Sequence, residues 1–244
     1  ARRLAENGFQ ELVLTGIHLS SYGIDCDSSL LELIRTLHGI DGIERIRLGS
    51  LEPRIITREF AEKLAGLPEF CPHFHLSLQS GCDATLKRMN RHYTTEDYLG
   101  RCGILREIFD HPAITTDVIA GFPGETEEEF EETRRFLETV RFYEMHVFKY
   151  SKRQGTRAAV MEDQVSEQVK ARRSDVLLEL EKTMSREYRE RFAGSRVSVL
   201  FEEAAEIGGK WYMMGHTPQY VRAALPLEDG MNREEFGGRI MELF

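Results

Sequence analysis

The chain has 244 residues, 41% of them hydrophobic, with 32 Lys and Arg against 41 Asp and Glu and a formal net charge of −9. That length suits one large domain or one domain with a small appendage. The acidic balance argues against a dominant nucleic-acid surface while leaving room for a local basic patch. No apolar run approaches a membrane span and no signal peptide is visible, so a cytoplasmic location and no membrane partner are expected.

The chain opens with ARRLAENGF, the pattern of the last turns of an amphipathic helix. A start at Ala1, in mid-helix and without Met, leads us to expect a piece of a longer protein. Leu12 to Leu14 then reads as a buried strand ending in a polar loop, Gly16 to Gly23. Asp27 or Ser28 is expected to cap a helix carrying Leu30, Leu31, Leu33, Ile34 and Leu37, stopped near Gly39. Ile43 to Leu48 is a second strand, and Thr57 to Ala65 a second helix. In HFHLSLQSGC, Phe74, Leu76 and Leu78 alternate with His75, Ser77 and Gln79, the period-two pattern of a strand with two different faces. In a closed or partly closed barrel the polar face would line a cavity.

Lys87, Arg88, Arg91 and His92 form a basic cluster ahead of a helix capped by Thr94. Thr115 to Glu125, TTDVIAGFPGE, reads as a buried strand, a Gly-rich turn at Gly121, Pro123 and Gly124, and then the capping box of Thr126 and Glu129. Asp117 interrupts its apolar run with a carboxylate that needs a partner. MHVFKYS, from Met145 to Ser151, closes the series, with Phe148 expected in the core. Strand and helix alternate five times, which predicts a parallel α/β architecture with the strand C-terminal ends on one rim. The loops Gly16 to Gly23, Gln79 to Cys82, Gly121 to Glu125 and Ser151 to Thr156 would face one mouth there.

A long charged helix is predicted from Val165 to Phe192, bridging two domains. Ser195 to Phe244 then switches to short β-like runs with a Gly208-Gly209 hairpin signal, read as a small β-barrel. The expected divisions are 1–160, 161–194 and 195–244. The four cysteines, Cys26, Cys71, Cys82 and Cys102, make no CxxC pair and no zinc spacing, so no metal site is expected.

TGIHLSSYG, SLQSGC, LKRMNRHYT, TDVIAGFPGETEEEF and FKYSKRQGT, in this order, resemble the tRNA methylthiotransferases of the radical S-adenosylmethionine superfamily. The TGIHLSSYG form resembles most the branch that acts on threonylcarbamoyladenosine beside the anticodon. The resemblance implies an α/β fold: a partial (β/α) radical-SAM barrel of parallel strands, followed by a small antiparallel β-barrel of the TRAM kind. It implies S-adenosylmethionine as cofactor and a tRNA anticodon loop as partner. It also implies 4Fe-4S clusters whose CxxxCxxC loop and further N-terminal domain lie ahead of Ala1. By itself the chain is then expected to be inactive in radical chemistry.

By the same resemblance, Thr15 and Gly16 meet the methionine amino group, and Gln79 and Ser80 the ribose. Asp117, Ile119 and Gly121 belong to the element flanking the adenine, and Tyr150 to the last strand. Arg88, Arg91 and Arg153 are candidates for gripping RNA phosphate. Trp211, with Tyr212 and Tyr220, is a candidate for stacking on unpaired bases. Two other readings stay open: a methylthiotransferase acting on a ribosomal protein, and a non-catalytic RNA-binding module.

Overall fold

A computed structural model describes residues 1–228 and 235–244. Five parallel strand positions follow one another in chain order. Strand β1 (Glu11–Leu14) pairs with β2 (Arg45–Leu48), and Gly49 interrupts β2 before its short continuation β3 (Ser50–Leu51). A bridge from Ile46 to Phe70 carries the sheet across to β4 (His73–Leu76). Then β5 (Ala113–Ala120) and β6 (Glu144–Lys149) complete an order β3-β4-β5-β6. The helices α1 (Arg2–Glu6), α2 (Leu30–His38), α3 (Arg58–Ala65), α4 (Asp83–Arg88), α5 (Thr95–Ile108) and α6 (Glu127–Val140) lie along this series.

The strands sort their side chains by period two. Ile46, Leu48, Phe74, Leu76, Ile114 and Val118 are buried in one core with Ile34, Leu64, Tyr98, Phe130 and Leu137 of the helices. The alternate positions, Arg45 and Arg47, His73 and His75, Thr115 and Asp117, Glu144 and His146, fall on the opposite, inward face.

The helix starts are set by side-chain caps. Thr57, Thr94 and Thr126 each accept from the third residue on, and Asp97 and Glu129 complete capping boxes at the last two. The first long helix is capped by Ser29 rather than by Asp27 or Ser28, because Asp27 sits in a left-handed turn, at φ 48°. Helix α4 is a separate element ahead of α5; its six residues turn the basic cluster of Lys87 and Arg88 into a helix C-terminus.

Helix α7 (Glu167–Glu190) is not a free bridge. It packs along β6, burying Leu177 and Met184 in the main core. Its Tyr188 stacks on Tyr143 at 4.6 Å and donates to the His111 carbonyl at 2.6 Å. Beyond it, β7 (Val197–Ile207), β8 (Lys210–His216), β9 (Arg222–Pro226) and β10 (Ile240–Leu243) form a separate antiparallel sheet in the order β10-β7-β8-β9. Gly208 and Gly209, both at positive φ, make the tight turn of the β7–β8 hairpin. The described edges β9 and β10 do not pair with each other. No helix among the described residues is long and apolar enough to cross a membrane.

The two sheets meet at the N-terminal end of the parallel strands through two buried arginines. Arg45 donates to the carbonyls of His216 (2.8 Å) and Ser198 (3.0 Å) and to the Ser198 hydroxyl. Arg47, 3% exposed, donates to the carboxylate of Glu11 through Nε (2.7 Å) and Nη2 (3.2 Å). It also reaches the carbonyls of Pro218 and Thr217. Its guanidinium lies over the Tyr220 ring at 4.8 Å, and that ring also stacks on His216 at 4.3 Å and approaches His73 at 5.2 Å. Tyr220 therefore packs between the two sheets at this end, with Arg47 over its ring and His216 stacked on it, while 40% of its surface stays exposed. Burial beside Arg47 pushes the His73 imidazole down to about 3, so it stays neutral.

Removing one partner of a buried ion pair strands the other charge, a loss of about 3–5 kcal/mol, against less than about 1 kcal/mol for an exposed pair. Arg47→Ala should therefore cost about 3–5 kcal/mol in chemical denaturation, whereas Arg141→Ala, which breaks the exposed pair with Glu187, should cost under about 1 kcal/mol. Equal losses from the two would show that the floor arginine does not hold the sheets together.

Candidate functional site

At the opposite, C-terminal rim lies a cavity of about 420 Å³. Its lining includes Gln79, Asp117, Ile119, Phe122, Phe148, Tyr150 and Arg153, so three of the four loops expected at one mouth do converge there. Strand register explains the set: Asp117 pairs with His146 and Ile119 with Phe148, all on the inward face. Phe148 is thus 54% exposed at the cavity wall and not in the core, because the core lies on the other side of the sheet.

Gln79 is held by its backbone. Its amide donates to the Asp117 carbonyl and its carbonyl accepts from Ile119, both at 2.9 Å, while its φ of 75° is left-handed. Such a conformation in a residue other than glycine is a constraint that clusters at binding sites. Tyr150 sits at the far wall, edge-on to Phe122 and under Lys170. Its hydroxyl is buried without a hydrogen-bond partner. An orphaned donor beside a cavity suits a polar ligand group.

The Gly-rich motif divides into two roles. Asp117 enters the interior, where a hydrogen bond from His75 holds its carboxyl below the usual range. The remainder is support. The Gly121 N–H donates to Glu125 Oε2 at 2.8 Å, and Arg173 of α7 donates to the same carboxylate at 2.7 Å. Gly124 donates its N–H to the Asp163 carbonyl at 2.7 Å. Burial pushes the Glu125 carboxyl up, and the Gly121 N–H and Arg173 pull it back. Gly121 itself, at φ 75°, lies beneath Lys170 and does not line the cavity.

Other predicted residues are placed elsewhere. Ser80 is fully buried, its hydroxyl shared with Thr133 (3.1 Å) and the Cys82 N–H (3.3 Å), and it does not reach the cavity. Thr15 and Gly16 are exposed after β1, outside the cavity lining. Arg88 is engaged by the Glu129 carboxylate and by Thr85. Arg91 is exposed beside a second hollow of about 260 Å³ with Arg54, His92 and Tyr93. Arg153 alone of the predicted arginines lines the main cavity. Trp211 is 40% exposed on β8, in the second sheet. His146, directly beside Asp117, was missed; the period-two pattern that exposed His75 is too short in MHVFKYS to single it out.

Gly121 allows a controlled comparison. A Cβ there would come 2.4 Å from Lys170 Cγ, whereas at Gly155, also at positive φ, it would meet nothing. A left-handed alanine costs roughly 1–2 kcal/mol. Gly155→Ala should lose about that much in thermal unfolding and Gly121→Ala clearly more; equal losses would contradict the close approach.

The family model for the radical SAM superfamily matches residues 1–137. The chain is 41% identical over 225 residues to the threonylcarbamoyladenosine tRNA methylthiotransferase MtaB of Bacillus subtilis (strain 168), covering 91% of this chain and 50% of that protein. It is 43% identical over 211 residues to the tRNA-2-methylthio-N(6)-dimethylallyladenosine synthase of Acetivibrio thermocellus, covering 86% of this chain and 44% of that protein. The chain thus spans about half the length of the curated relatives it matches. Among solved structures, the coproporphyrinogen III oxidase HemN of Escherichia coli, a radical SAM enzyme, superposes with a TM-score of 0.58 at 19% identity. That match covers 72% of this chain and 40% of that one, a likeness of fold alone.

Proposed function

The chain belongs to the radical SAM superfamily, and from that membership we propose that the whole protein is a tRNA methylthiotransferase acting on threonylcarbamoyladenosine beside the anticodon. The observation that carries the proposal is the rim cavity with its constrained Gln79 and its unpartnered Tyr150 hydroxyl. S-adenosylmethionine fits this lining. Ile119 and Phe148 offer an apolar wall for a flat base. The Gln79 amide is suited to neutral ribose hydroxyls. Bound there, S-adenosylmethionine would supply the methyl carbon of the methylthio group and, with an electron from a 4Fe-4S cluster, the radical, while the sulfur comes from a separate donor.

The described cysteines do not fit a cluster. Burial pushes the Cys71 and Cys102 thiols up to about 12, so neither is a thiolate, and Cys82 is buried as well. Cys26 is exposed, a lone ligand where a cluster takes several thiolates. On this proposal the cavity residues Gln79, Ile119 and Phe148 hold and orient the cofactor. In this reading an N-terminal cluster domain of the same protein completes the site. Residues 1–160 form the barrel part, 161–194 the connecting helix and 195–244 a TRAM-like RNA-binding module.

The same proposal gives the exposed Arg91 and Arg153 the tRNA phosphates, and Trp211 a stacking role. Phosphate contacts lower the logarithm of affinity with a salt slope of about −0.7 to −0.9 per neutralised phosphate, whereas stacking leaves the slope nearly unchanged. Anticodon stem-loop binding across a salt series should therefore show a shallower slope in Arg91→Ala with Arg153→Ala. Trp211→Ala should weaken binding at constant slope. Unchanged affinity and slope in the arginine pair would remove the rim from the RNA path.

Deleting the gene that carries this chain should abolish the methylthio group on threonylcarbamoyladenosine in tRNA, read by nucleoside mass spectrometry. Restoring the wild-type gene should bring it back, and Gln79→Ala should restore it only weakly. The similarity to the dimethylallyladenosine enzyme carries a second reading, in which methylthiolated dimethylallyladenosine disappears instead. Loss of neither nucleoside would overturn both.

A further inference from the structure

Below the rim cavity three side chains from three adjacent strands converge: His75 on β4, Asp117 on β5 and His146 on β6. Asp117 and His146 are direct register partners, and His75 stands opposite Thr115, one inward step below Asp117. One nitrogen or oxygen from each lies within 4.8 Å of the others. His75 Nε2 is 3.4 Å from Asp117 Oδ2, and the two imidazole rings are 5.8 Å apart between centroids.

The geometry points to a divalent transition-metal site formed by His75, Asp117 and His146, with its open side toward the rim cavity. Ligand atoms about 2.0–2.1 Å from a common ion lie roughly 3–3.5 Å from one another in tetrahedral or octahedral geometry. The His75–Asp117 pair already stands at 3.4 Å, and the exposed His146 has its ligand atom within 4.8 Å of both, a gap that a turn of its side chain would have to close. A second layer is also present. His75 Nδ1 lies 3.0 Å from Thr115 Oγ1, which fixes the ring and leaves Nε2 as the atom facing Asp117. Ligating histidines are held in this way, by a hydrogen bond at the other ring nitrogen.

The donor set selects the metal class. Two imidazoles and one carboxylate suit Zn²⁺, Co²⁺ or Fe²⁺, whereas Mg²⁺ prefers oxygen ligands throughout. Asp117 is half-buried and lines the cavity wall, so an ion held here presents its vacant positions to whatever occupies the cavity. Three protein ligands and open coordination is the arrangement of a site that binds or polarises a substrate atom, not of a closed structural site. The site does not depend on the proposed tRNA chemistry, because it is read by metal content alone.

The test is metal binding by the full chain, stripped with chelator and dialysed against Co²⁺, Zn²⁺ or Mg²⁺. The expected result is one Co²⁺ or Zn²⁺ retained per chain and no Mg²⁺. The Co²⁺ form should show visible d–d absorption without a thiolate charge-transfer band. Asp117→Asn and His146→Ala should each weaken Zn²⁺ binding at least tenfold. Thr115→Val, which keeps all three ligands, should weaken it by about 10- to 100-fold. His111→Ala, at an exposed His–Asp contact elsewhere, should change nothing. Circular dichroism checks that each variant is folded. Retention unaltered by Asp117→Asn and His146→Ala, a thiolate band, equal uptake of Mg²⁺, or no retained metal would each overturn the site.

Discussion

Charge on the inward face of the parallel strands must be answered by geometry, because an unpaired ion out of water costs several kcal/mol. At the N-terminal end the answer is Arg47, whose guanidinium is divided between the Glu11 carboxylate and two carbonyls of the second sheet. Arg45 does the same for His216 and Ser198. Neither arginine finds enough acceptors within its own sheet, so the second sheet completes the floor. With Tyr220 packed against Arg47 at this end, the cavity lies at the other, where Gln79, Asp117 and Ile119 line it.

The support for that rim is equally specific. Glu125 is tied to the Gly121 amide on one side and to Arg173 on the other, so the Gly-rich turn and helix α7 are locked together. Helix α7 packs on β6, the strand that carries His146, Phe148 and Lys149 into the interior or its mouth. Two residues of one motif, Asp117 and Glu125, therefore serve different ends. The first faces the cavity, and the second holds the wall from behind. The resemblance gives Asp117, Ile119 and Gly121 to the element flanking the adenine; of these, Gly121 is bound to the buried Glu125 as support and does not line the cavity.

Much of the fold was legible because it rests on local rules. Alternation in HFHLSLQSGC identified a two-faced strand, and Phe74, Leu76 and Leu78 are indeed fully buried. The cap at Thr94 and the capping box at Thr126 lie where the side-chain pattern placed them. What was not legible depends on long-range pairing. Phe148 reads as core until the register sets it beside Ile119 on the inner face. Ser80 reads as a ligand residue until α6 supplies Thr133 as its partner. Tyr220 reads as a free aromatic until Arg47, 173 positions earlier, covers its ring. The His75–Asp117–His146 cluster has no spacing signal, since its members meet only across three strands.

The proposed reading stands or falls on the rim cavity as the place that would hold S-adenosylmethionine. Hydrogen–deuterium exchange with and without saturating S-adenosylmethionine tests it without any mutation. Slowed exchange is predicted in peptides covering 77–82, 117–124 and 148–158, the segments that line the cavity. Exchange slowed instead around 106–114 and 139–143, where a separate hollow lies between Arg106, His111 and Tyr143, or slowed nowhere, would contradict the account.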